Sequence, residues 1–307
     1  MATSSSITSL CARTTRSGPL VFEVDRRTAQ LHWEMLTTPD GDESMPLSVR
    51  KPFARQLRTT YSPAPTRPRR PGDELRALVI GDPGDPAKHQ DLPGARREAV
   101  RVFELLDARP GIHVDARIGA PGTPREGLPQ GIRPAERLDV LSLLLRGDYD
   151  LVHYAGHGHF DPVAPDRVGW VFAAGVLTPG EIGGLKRVPS IVVSNACLSA
   201  RTSAVREGGT DTGTTRSEAG LLPSLADEFF KLGVRNYVGT AWEVNDLGAE
   251  LFAEEFYGAL LAGMPVGEAV QRARTALWRK QTRYGPLWAA YQHYGDPTSE
   301  ALLRARD

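Results

Sequence analysis

The sequence predicts an α/β fold with a mostly parallel sheet flanked by helices on both faces and a small β-rich N-terminal preface. From Glu74 onward, short apolar segments typical of buried strands alternate with longer segments that carry an apolar face at helical spacing. This alternation is typical of parallel sheets, because the connection between two parallel strands is usually a helix. With 307 residues, 40% of them hydrophobic, the chain is long enough to bury a substantial core.

The pattern divides the chain into four segments. Residues 1–17 are rich in Ser and Thr without a sustained apolar stretch, so we expect a disordered leader. Residues 18–60 form the β-rich preface, and residues 61–73 are rich in proline and arginine, which predicts a linker. Residues 74–307 form the main domain.

The spacing of apolar residues and the length of each segment predict the individual strands and helices. In the preface, residues 20–24 and 30–33 alternate like two short strands, and residues 47–57 add another short element. Main-domain strands are expected at 75–80, 112–116, 149–154, 169–174, 176–177, 190–194, 236–240 and, as a last edge strand, 288–294. Helices are expected at 94–106, 134–145, 178–181, 221–232, 246–261 and 266–281. The polar stretch 201–219 predicts a mobile loop.

Composition excludes several classes of partner. The 37 basic and 37 acidic residues cancel, so the chain lacks the charge that nucleic acid or an anionic membrane would attract. No segment has the length and apolar character of a membrane span. The two cysteines, Cys11 and Cys197, lie far apart in unlike settings, which suits a reducing compartment. We therefore expect a cytoplasmic protein with no nucleic-acid or membrane partner.

A histidine and a cysteine stand where two neighbouring strands are predicted to end. His157 follows one apolar strand, and Cys197 follows the next buried strand. The carboxyl ends of parallel strands are where ligands of such sheets bind. A thiol attacks a carbonyl as thiolate and needs a nearby base, which His157 would supply. Glycines flank His157, so the backbone N–H of Gly158 could face a developing oxyanion.

Neighbouring residues carry weaker signals. His153 lies within the predicted strand and is expected to be a core residue. His159 lies past the turn and receives no role, while Asp161 is a solvated acid that could orient a histidine. Cys11, in the leader, is expected to be inert.

Longer stretches resemble one known family, the CHAT domain, over residues from about 74 to 297. CHAT domains belong with the caspases, separases and gingipains. Trp33-Glu34 and the run 55–57 resemble the preface often found before the domain. The main resemblance is carried by the run 153–158 (His-Tyr-Ala-Gly-His-Gly), the run 194–197 (Ser-Asn-Ala-Cys), the segment 229–246, the helix 252–261 with its Glu255-Phe-Tyr257, and the segment 288–297.

The resemblance implies a caspase-like α/β fold, also called the caspase-hemoglobinase fold, and peptide-bond hydrolysis through a thioester. His157 matches the family's histidine and Cys197 its nucleophile, with the backbone N–H groups of Gly158 and Cys197 as the oxyanion hole. This chemistry requires neither a cofactor nor a metal. The implied cysteine endopeptidase acts on a protein substrate, and bacterial defence or programmed cell death is a common setting for such proteins.

The sequence gives weaker indications of the substrate preference and the regulation of the implied peptidase. Related peptidases that prefer basic residues place an acid two positions before the cysteine, where this chain has the neutral Asn195. Trp242, Glu243 and Asp246 follow the next strand and could line the primary pocket, although Asp246 could equally cap the following helix. Many CHAT proteins carry a regulatory repeat domain, and this sequence contains no such repeat. We expect control by the preface, by cleavage in the loop 201–219, or by a partner protein in trans.

Two alternatives remain open from the sequence. The run His157-Gly158-His159 with Asp161 resembles the opening of a metallohydrolase signature, but Pro162 replaces its last histidine. A catalytically silent CHAT signalling or scaffold module is the more serious alternative, because catalysis depends on geometry that the sequence does not specify.

Overall fold

The computed structural model describes residues 18–25, 28–37, 45–57, 74–159, 167–183, 185, 188–197 and 225–300. Ten strands lie in this part of the chain. They are β1 (Leu20–Val24), β2 (Phe53–Leu57), β3 (Leu75–Gly81), β4 (Ile112–Ile118), β5 (Leu151–His159), β6 (Gly169–Phe172), β7 (Gly175–Leu177), β8 (Ile191–Cys197), β9 (Asn236–Thr240) and β10 (Tyr291–Gly295).

Eight of these strands form one continuous sheet in the order β1-β2-β10-β9-β8-β5-β3-β4. All neighbouring pairs are parallel except β10 with β9, which is antiparallel. The small hairpin β6–β7 joins the end of β5 in antiparallel fashion. The predicted mostly parallel sheet is confirmed.

Helices cover both faces of the sheet. They are α1 (Leu47–Arg50), α2 (Pro93–Asp107), α3 (Arg137–Arg146), α4 (Asp246–Leu261), α5 (Val266–Arg279), α6 (Gln281–Tyr284) and α7 (Leu287–Ala290), and residues 225–232 are also helical. On one face, α2, α4 and α5 bury a core that includes Val79, Val193 and Val238. On the other face, α3, the β6–β7 hairpin and residues 225–232 bury a second core. No helix in the described ranges has the length and apolar character to cross a membrane.

The preface belongs to the main sheet, because β2 pairs with β10 and β1 pairs with β2. The strand expected at 30–33 is absent; residues 28–30 and 33–35 form 3₁₀ turns instead. The physical reason is Arg55, whose guanidinium donates to the carbonyl oxygens of Ala29 and Leu31 and to the carboxylate of Glu34. Those carbonyl groups are therefore engaged by a buried side chain and not by a neighbouring strand.

Two further expectations about strands were wrong. The last strand was expected at the edge of the sheet, but β10 lies between β2 and β9, and residues 287–290 form the helical turn α7. The strand expected to end at residue 154 continues through His159, because its last residues pair with β8 and with β6. His157 therefore lies within a strand, and not in a loop after it.

Candidate active site

The candidate site is built where β5 and β8 run side by side. Their parallel register begins with Leu151 opposite Ile191 and continues to His157, whose Cα is the register partner of the Cα of Cys197. Adjacent strands lie about 4.8 Å apart in the plane of a sheet. The two residues that the sequence predicted to act together are therefore cross-strand neighbours, at the ends of strands separated by a long stretch of chain.

The imidazole of His157 is held by one nitrogen only. The side chain is buried, at 2% exposure, and its Nε2 lies 2.6 Å from the backbone carbonyl oxygen of Gln90. A carbonyl oxygen only accepts, so Nε2 carries the hydrogen and donates it. The Nδ1 atom is also buried and has no hydrogen-bond partner among the described residues. In the neutral imidazole this arrangement leaves the Nδ1 lone pair available to accept a proton.

Burial favours that neutral form. Desolvation lowers the pKa of His157 from its ordinary value, and the hydrogen bond to Gln90 opposes this shift. A protonated His89 would lower the pKa further, because its ring centroid lies 5.6 Å from that of His157. His157 is thus unprotonated at neutral pH, as a general base must be.

The loop after β3 supplies this support, and sequence reasoning missed it. Gln90 contributes a backbone carbonyl, which any residue type could provide and which therefore leaves no signal in the sequence. Gly84 lies against the imidazole, since a Cβ at this position would come within 3.2 Å of His157 Cδ2. Gly84 itself, three residues after the end of β3, was the one hint in the sequence of a close approach.

Asn195 lies behind the site, and both polar atoms of its side-chain amide form hydrogen bonds. Its Nδ2 donates to Glu98 Oε2 at 2.8 Å, and its Oδ1 accepts from the hydroxyl of Thr240 at 3.3 Å. Asn195 is a predicted pocket residue, and these two hydrogen bonds to buried neighbours hold its amide in a fixed orientation. The acid beside it, Glu98 on α2, was not identified from the sequence.

Glu98 and His153 form a buried pair that is neutral at pH 7. Burial raises the pKa of Glu98 to about 8, against the opposing hydrogen bond from Asn195. Burial also lowers the pKa of His153 to about 3. The 3.5 Å contact between His153 Nε2 and Glu98 Oε1 therefore joins an imidazole and a protonated carboxyl group, not two charges. His153 is fully buried within β5, which confirms its prediction as a core residue.

The other predicted pocket residues follow β9. Trp242 is half-buried and packs edge-to-face on His32 of the preface, with ring centroids 4.8 Å apart. Glu243 is exposed. Asp246 is exposed and forms an ion pair with Arg97 at 2.9 Å. Its alternative role as a helix cap was wrong.

The cap of α4 is the preceding residue, Asn245. Its side-chain oxygen accepts from the backbone N–H of Gly248 at 2.8 Å. Asp246 is therefore the first residue inside the helix, where a carboxylate interacts favourably with the helix dipole.

The remaining residues of the run lie at the end of β5. Gly158 pairs with Trp170 of β6, and His159 is the half-buried last residue of the strand. Asp161, which was considered as an orienting acid or a metal ligand, lies outside the described residues, as do Cys11 and the loop 201–219. Within the described ranges, no three His, Cys, Asp or Glu residues cluster so that they could hold a metal ion.

The fold resembles solved structures of cysteine peptidases. The Arg-specific cysteine proteinase gingipain R superposes with a TM-score of 0.55 at 12% identity, over 96% of this chain and 68% of that chain. The complex of the pro- and mature domains of RgpB from Porphyromonas gingivalis gives a TM-score of 0.54 at 11% identity, over 96% and 69%. The Saccharomyces cerevisiae separase–securin complex gives 0.47 at 13% identity, over 90% and 15%. At these identities the likeness to the two gingipain structures concerns the fold alone.

Sequence comparison identifies the family. No curated protein sequence matches the chain. The family model of the CHAT domain matches residues 6–296, which includes both the preface and the strands that carry His157 and Cys197. The chain therefore belongs to the CHAT domain family, with the caspase-like arrangement of a mostly parallel sheet between helices.

Proposed function

We propose that the protein is a cysteine endopeptidase in which Cys197 is the nucleophile and His157 the general base. One observation carries the proposal. A buried imidazole is fixed through Nε2 to the Gln90 carbonyl, keeps Nδ1 without a partner among the described residues, and is the register partner of Cys197. The buried His153 and His293 also have one ring nitrogen without a hydrogen-bond partner among the described residues, so it is the register with Cys197 that distinguishes His157 from them.

In the proposed reaction, His157 Nδ1 takes the proton from the Cys197 thiol. The thiolate attacks the carbonyl carbon of the scissile peptide, forming a carbon–sulfur bond and a tetrahedral oxyanion. The N–H groups of Gly158 and Cys197 donate to that oxyanion. Collapse of the intermediate breaks the carbon–nitrogen bond, and the imidazolium gives its proton to the departing amine. Water, deprotonated by His157, then hydrolyses the thioester and regenerates the thiol.

The hydrogen bond to Gln90 supports both halves of this cycle. It fixes the tautomer that leaves Nδ1 as the acceptor, and its oxygen also stabilises the imidazolium after proton transfer. Because the contact uses backbone, it restrains the ring without adding a second charge to the site.

The proposal extends to substrate and control. The substrate is a protein segment, and Asn195, Trp242, Glu243 and Asp246 are the pocket candidates. Glu243 is the pocket acid best placed to attract Lys or Arg, because Asp246 is already paired with Arg97. We further propose control by a partner protein or by processing, in bacterial defence or programmed cell death, as the resemblance implies. The proposed cytoplasmic location rests on the use of only two, widely separated cysteines.

The test begins with a Cys11→Ser background, which leaves Cys197 as the single cysteine. In that background Cys197→Ala and His157→Ala are each expected to reduce cleavage of an accepted protein substrate by at least about 1,000-fold. His113→Ala is the matched control, because His113 lies on β4 and is partly exposed. A chelator is expected to leave the rate unchanged.

Alkylation by iodoacetamide gives a second measure that needs no substrate. Cys197 is expected to react faster than the same thiol in the urea-unfolded chain, and the His157→Ala variant is expected to lose this advantage. Cleavage that persists in Cys197→Ala would refute the mechanism. A Cys197 of ordinary reactivity without any turnover would favour the silent scaffold.

A further inference from the structure

Tyr154 contacts the site from the reverse side of the sheet. It lies three residues before His157 on β5, so the two side chains occupy opposite faces of the strand. The Tyr154 ring is fully buried in the second core. Its hydroxyl lies 2.7 Å from the carbonyl oxygen of His157 and 3.2 Å from that of Val171. The shorter contact is the stronger hydrogen bond, and it joins Tyr154 to the backbone of the proposed base.

The ring that carries this hydroxyl is held firmly. It stacks on Trp170 with centroids 4.6 Å apart and planes within 4° of parallel. The indole N–H of Trp170 donates to the hydroxyl of Ser194 at 2.9 Å. Ser194 lies on β8, three residues before Cys197. The aromatic pair therefore contacts both strands of the site from behind.

Gly156 makes room for the contact. A Cβ on this residue would lie 2.8 Å from the Tyr154 hydroxyl oxygen and 3.0 Å from Pro83 Cδ. Both distances are shorter than an ordinary carbon contact. Any larger residue at position 156 would push the hydroxyl away from the His157 carbonyl.

The hydrogen bond from Tyr154 to the His157 carbonyl also affects the N–H group of the same peptide unit. The peptide between His157 and Gly158 is planar and trans, so its C=O and N–H point in opposite directions. A hydroxyl that fixes the C=O on one side therefore also fixes the direction of the Gly158 N–H on the other side. That N–H is one of the two proposed oxyanion donors.

We propose that Tyr154 is a positioning residue whose hydroxyl orients the Gly158 N–H toward the oxyanion of the reaction. This inference rests on the proposed endopeptidase function. Tyr154 acts on the peptide plane, whereas the imidazole of His157 is held separately by Gln90. Removing the hydroxyl is therefore expected to weaken oxyanion stabilisation while leaving the base in place.

Two thiol reagents separate these effects. A peptide aldehyde adds the Cys197 sulfur to its carbonyl carbon, and the former carbonyl oxygen then occupies the oxyanion position. Iodoacetamide loses iodide to the thiolate at a saturated carbon and develops no oxyanion. The aldehyde thus reports on the Gly158 donor, and iodoacetamide reports on the thiol and its base.

The experiment compares Tyr154→Phe with its parent in the Cys11→Ser background. The probes are N-acetyl tetrapeptide aldehydes that differ only in the residue carrying the aldehyde, and iodoacetamide. In Tyr154→Phe the dissociation constant of the best aldehyde is expected to rise about 10-fold or more, and kcat to fall by a similar factor with KM little changed. The alkylation rate is expected to stay within about twofold, since the dyad is untouched.

Tyr149→Phe is the matched control. Tyr149 is a buried tyrosine two residues before β5, and its hydroxyl also donates a 2.7 Å hydrogen bond, but to Asp115 on β4. It is expected to change neither aldehyde binding nor alkylation. Gly156→Ala, which displaces the Tyr154 hydroxyl by contact, is expected to reproduce the Tyr154→Phe result.

Each outcome has a distinct meaning. Unchanged aldehyde binding in Tyr154→Phe, or alkylation slowed by the same factor as aldehyde binding, would overturn the positioning role. A parent protein that binds none of the aldehydes and whose Cys197 reacts no faster than in urea would instead refute the endopeptidase function, and this inference with it.

Discussion

Glu98 is a buried acid that forms no ion pair with a lysine or arginine among the described residues. Its carboxyl group accepts from Asn195 and lies beside the neutral imidazole of His153. A carboxylate is costly in such surroundings, so the group keeps its proton in the folded protein at neutral pH. The site thus rests on a polar cluster whose members are uncharged.

The raised pKa of Glu98 predicts a specific dependence of stability on pH. Between the ordinary value of 4.5 and about 8, the unfolded chain releases this proton while the folded protein keeps it. Rising pH therefore favours unfolding over that range, and the stabilising contribution is complete only below pH 4.5. Glu98→Gln removes the titration and retains an acceptor for Asn195. We expect its free energy of unfolding, relative to the parent, to increase by on the order of a few kcal/mol from pH 4.5 to 8.

Urea denaturation at several pH values measures this difference. Glu104→Gln is the control, because Glu104 lies on the same helix and is about half exposed. It is expected to show no such trend. His153 does not confuse the comparison, since its lowered pKa affects both variants and acts on the acid side of pH 6.5. If the free energies of unfolding of the parent and of Glu98→Gln differed by the same amount at every pH, the assignment of a buried, protonated Glu98 would be contradicted.

At the scale of single residues, the sequence singled out the candidate pair of side chains but not the groups that surround them. His157 and Cys197 were identified because both residue types are rare and both follow apolar strands. The role of Gln90 could not be predicted from the sequence, because the contact uses a backbone carbonyl oxygen, which every residue type has. Glu98 left a readable signal, because it precedes Val102 and Leu106 at four-residue spacing on the buried face of α2. An acid on an apolar helical stripe predicts a buried polar cluster.

Among the elements, α4 shows how the start of a helix is arranged beside the site. Asn245 caps the helix, and Asp246 reaches across to Arg97 on α2. These two neighbouring residues contribute by different mechanisms. The cap satisfies a backbone N–H that would otherwise lack a partner, whereas the ion pair is exposed to solvent and screened by salt.

The structure predicts that the two residues differ in their effect on stability. Asn245→Ala is expected to lower the free energy of unfolding by about 1 kcal/mol. Asn245→Asp is expected to keep most of the stabilisation that the cap provides, because a carboxylate oxygen also accepts from the Gly248 N–H. Asp246→Ala is expected to cost roughly 0.5 kcal/mol, with the cost falling as salt is added. Urea denaturation at low and high salt distinguishes them. A larger, salt-independent loss in Asp246→Ala would mean that Asp246 is the cap after all.

Element boundaries were predictable where packing is regular. The helices at 94–106 and 246–261 were found nearly at their observed bounds, because their apolar faces pack on the sheet. The preface was misread between residues 28 and 35, because the contacts that shape it come from Arg55, more than 20 residues away. Alternating polarity cannot distinguish a strand from turns that are bonded to a distant guanidinium.

On the scale of the whole molecule, one buried cluster joins the preface to the rest of the sheet. Glu34 accepts from Arg55 at 2.9 Å and lies 3.7 Å from Arg274 on α5, and all three side chains are fully buried. Burial lowers the pKa of Arg274 to about 10, with Glu34 opposing the shift. Arg274 also donates to the backbone carbonyl oxygens of Phe53 and Tyr291. A single carboxylate thus compensates two guanidinium groups.

Removing that carboxylate is expected to be severe. Glu34→Ala leaves two buried cations without a counter-charge and should lower the free energy of unfolding by about 3–5 kcal/mol. Glu126→Ala, at an exposed position, is expected to change it by less than about 0.5 kcal/mol. Thermal and urea denaturation measure both. A loss below about 1 kcal/mol in Glu34→Ala would show that the cluster does not hold the preface in place.

The position of β10 has a consequence for biosynthesis. β2 is translated long before β10, yet in the described sheet β2 pairs only with β1 and with β10, the last of the described strands along the chain. The sheet therefore closes only after Tyr291–Gly295 has been translated. A stalled or prematurely terminated nascent chain lacks both the strand on which β2 docks and the Tyr291 carbonyl that Arg274 requires. Such a chain exposes an unpaired strand and buried charge to the cell's quality-control machinery.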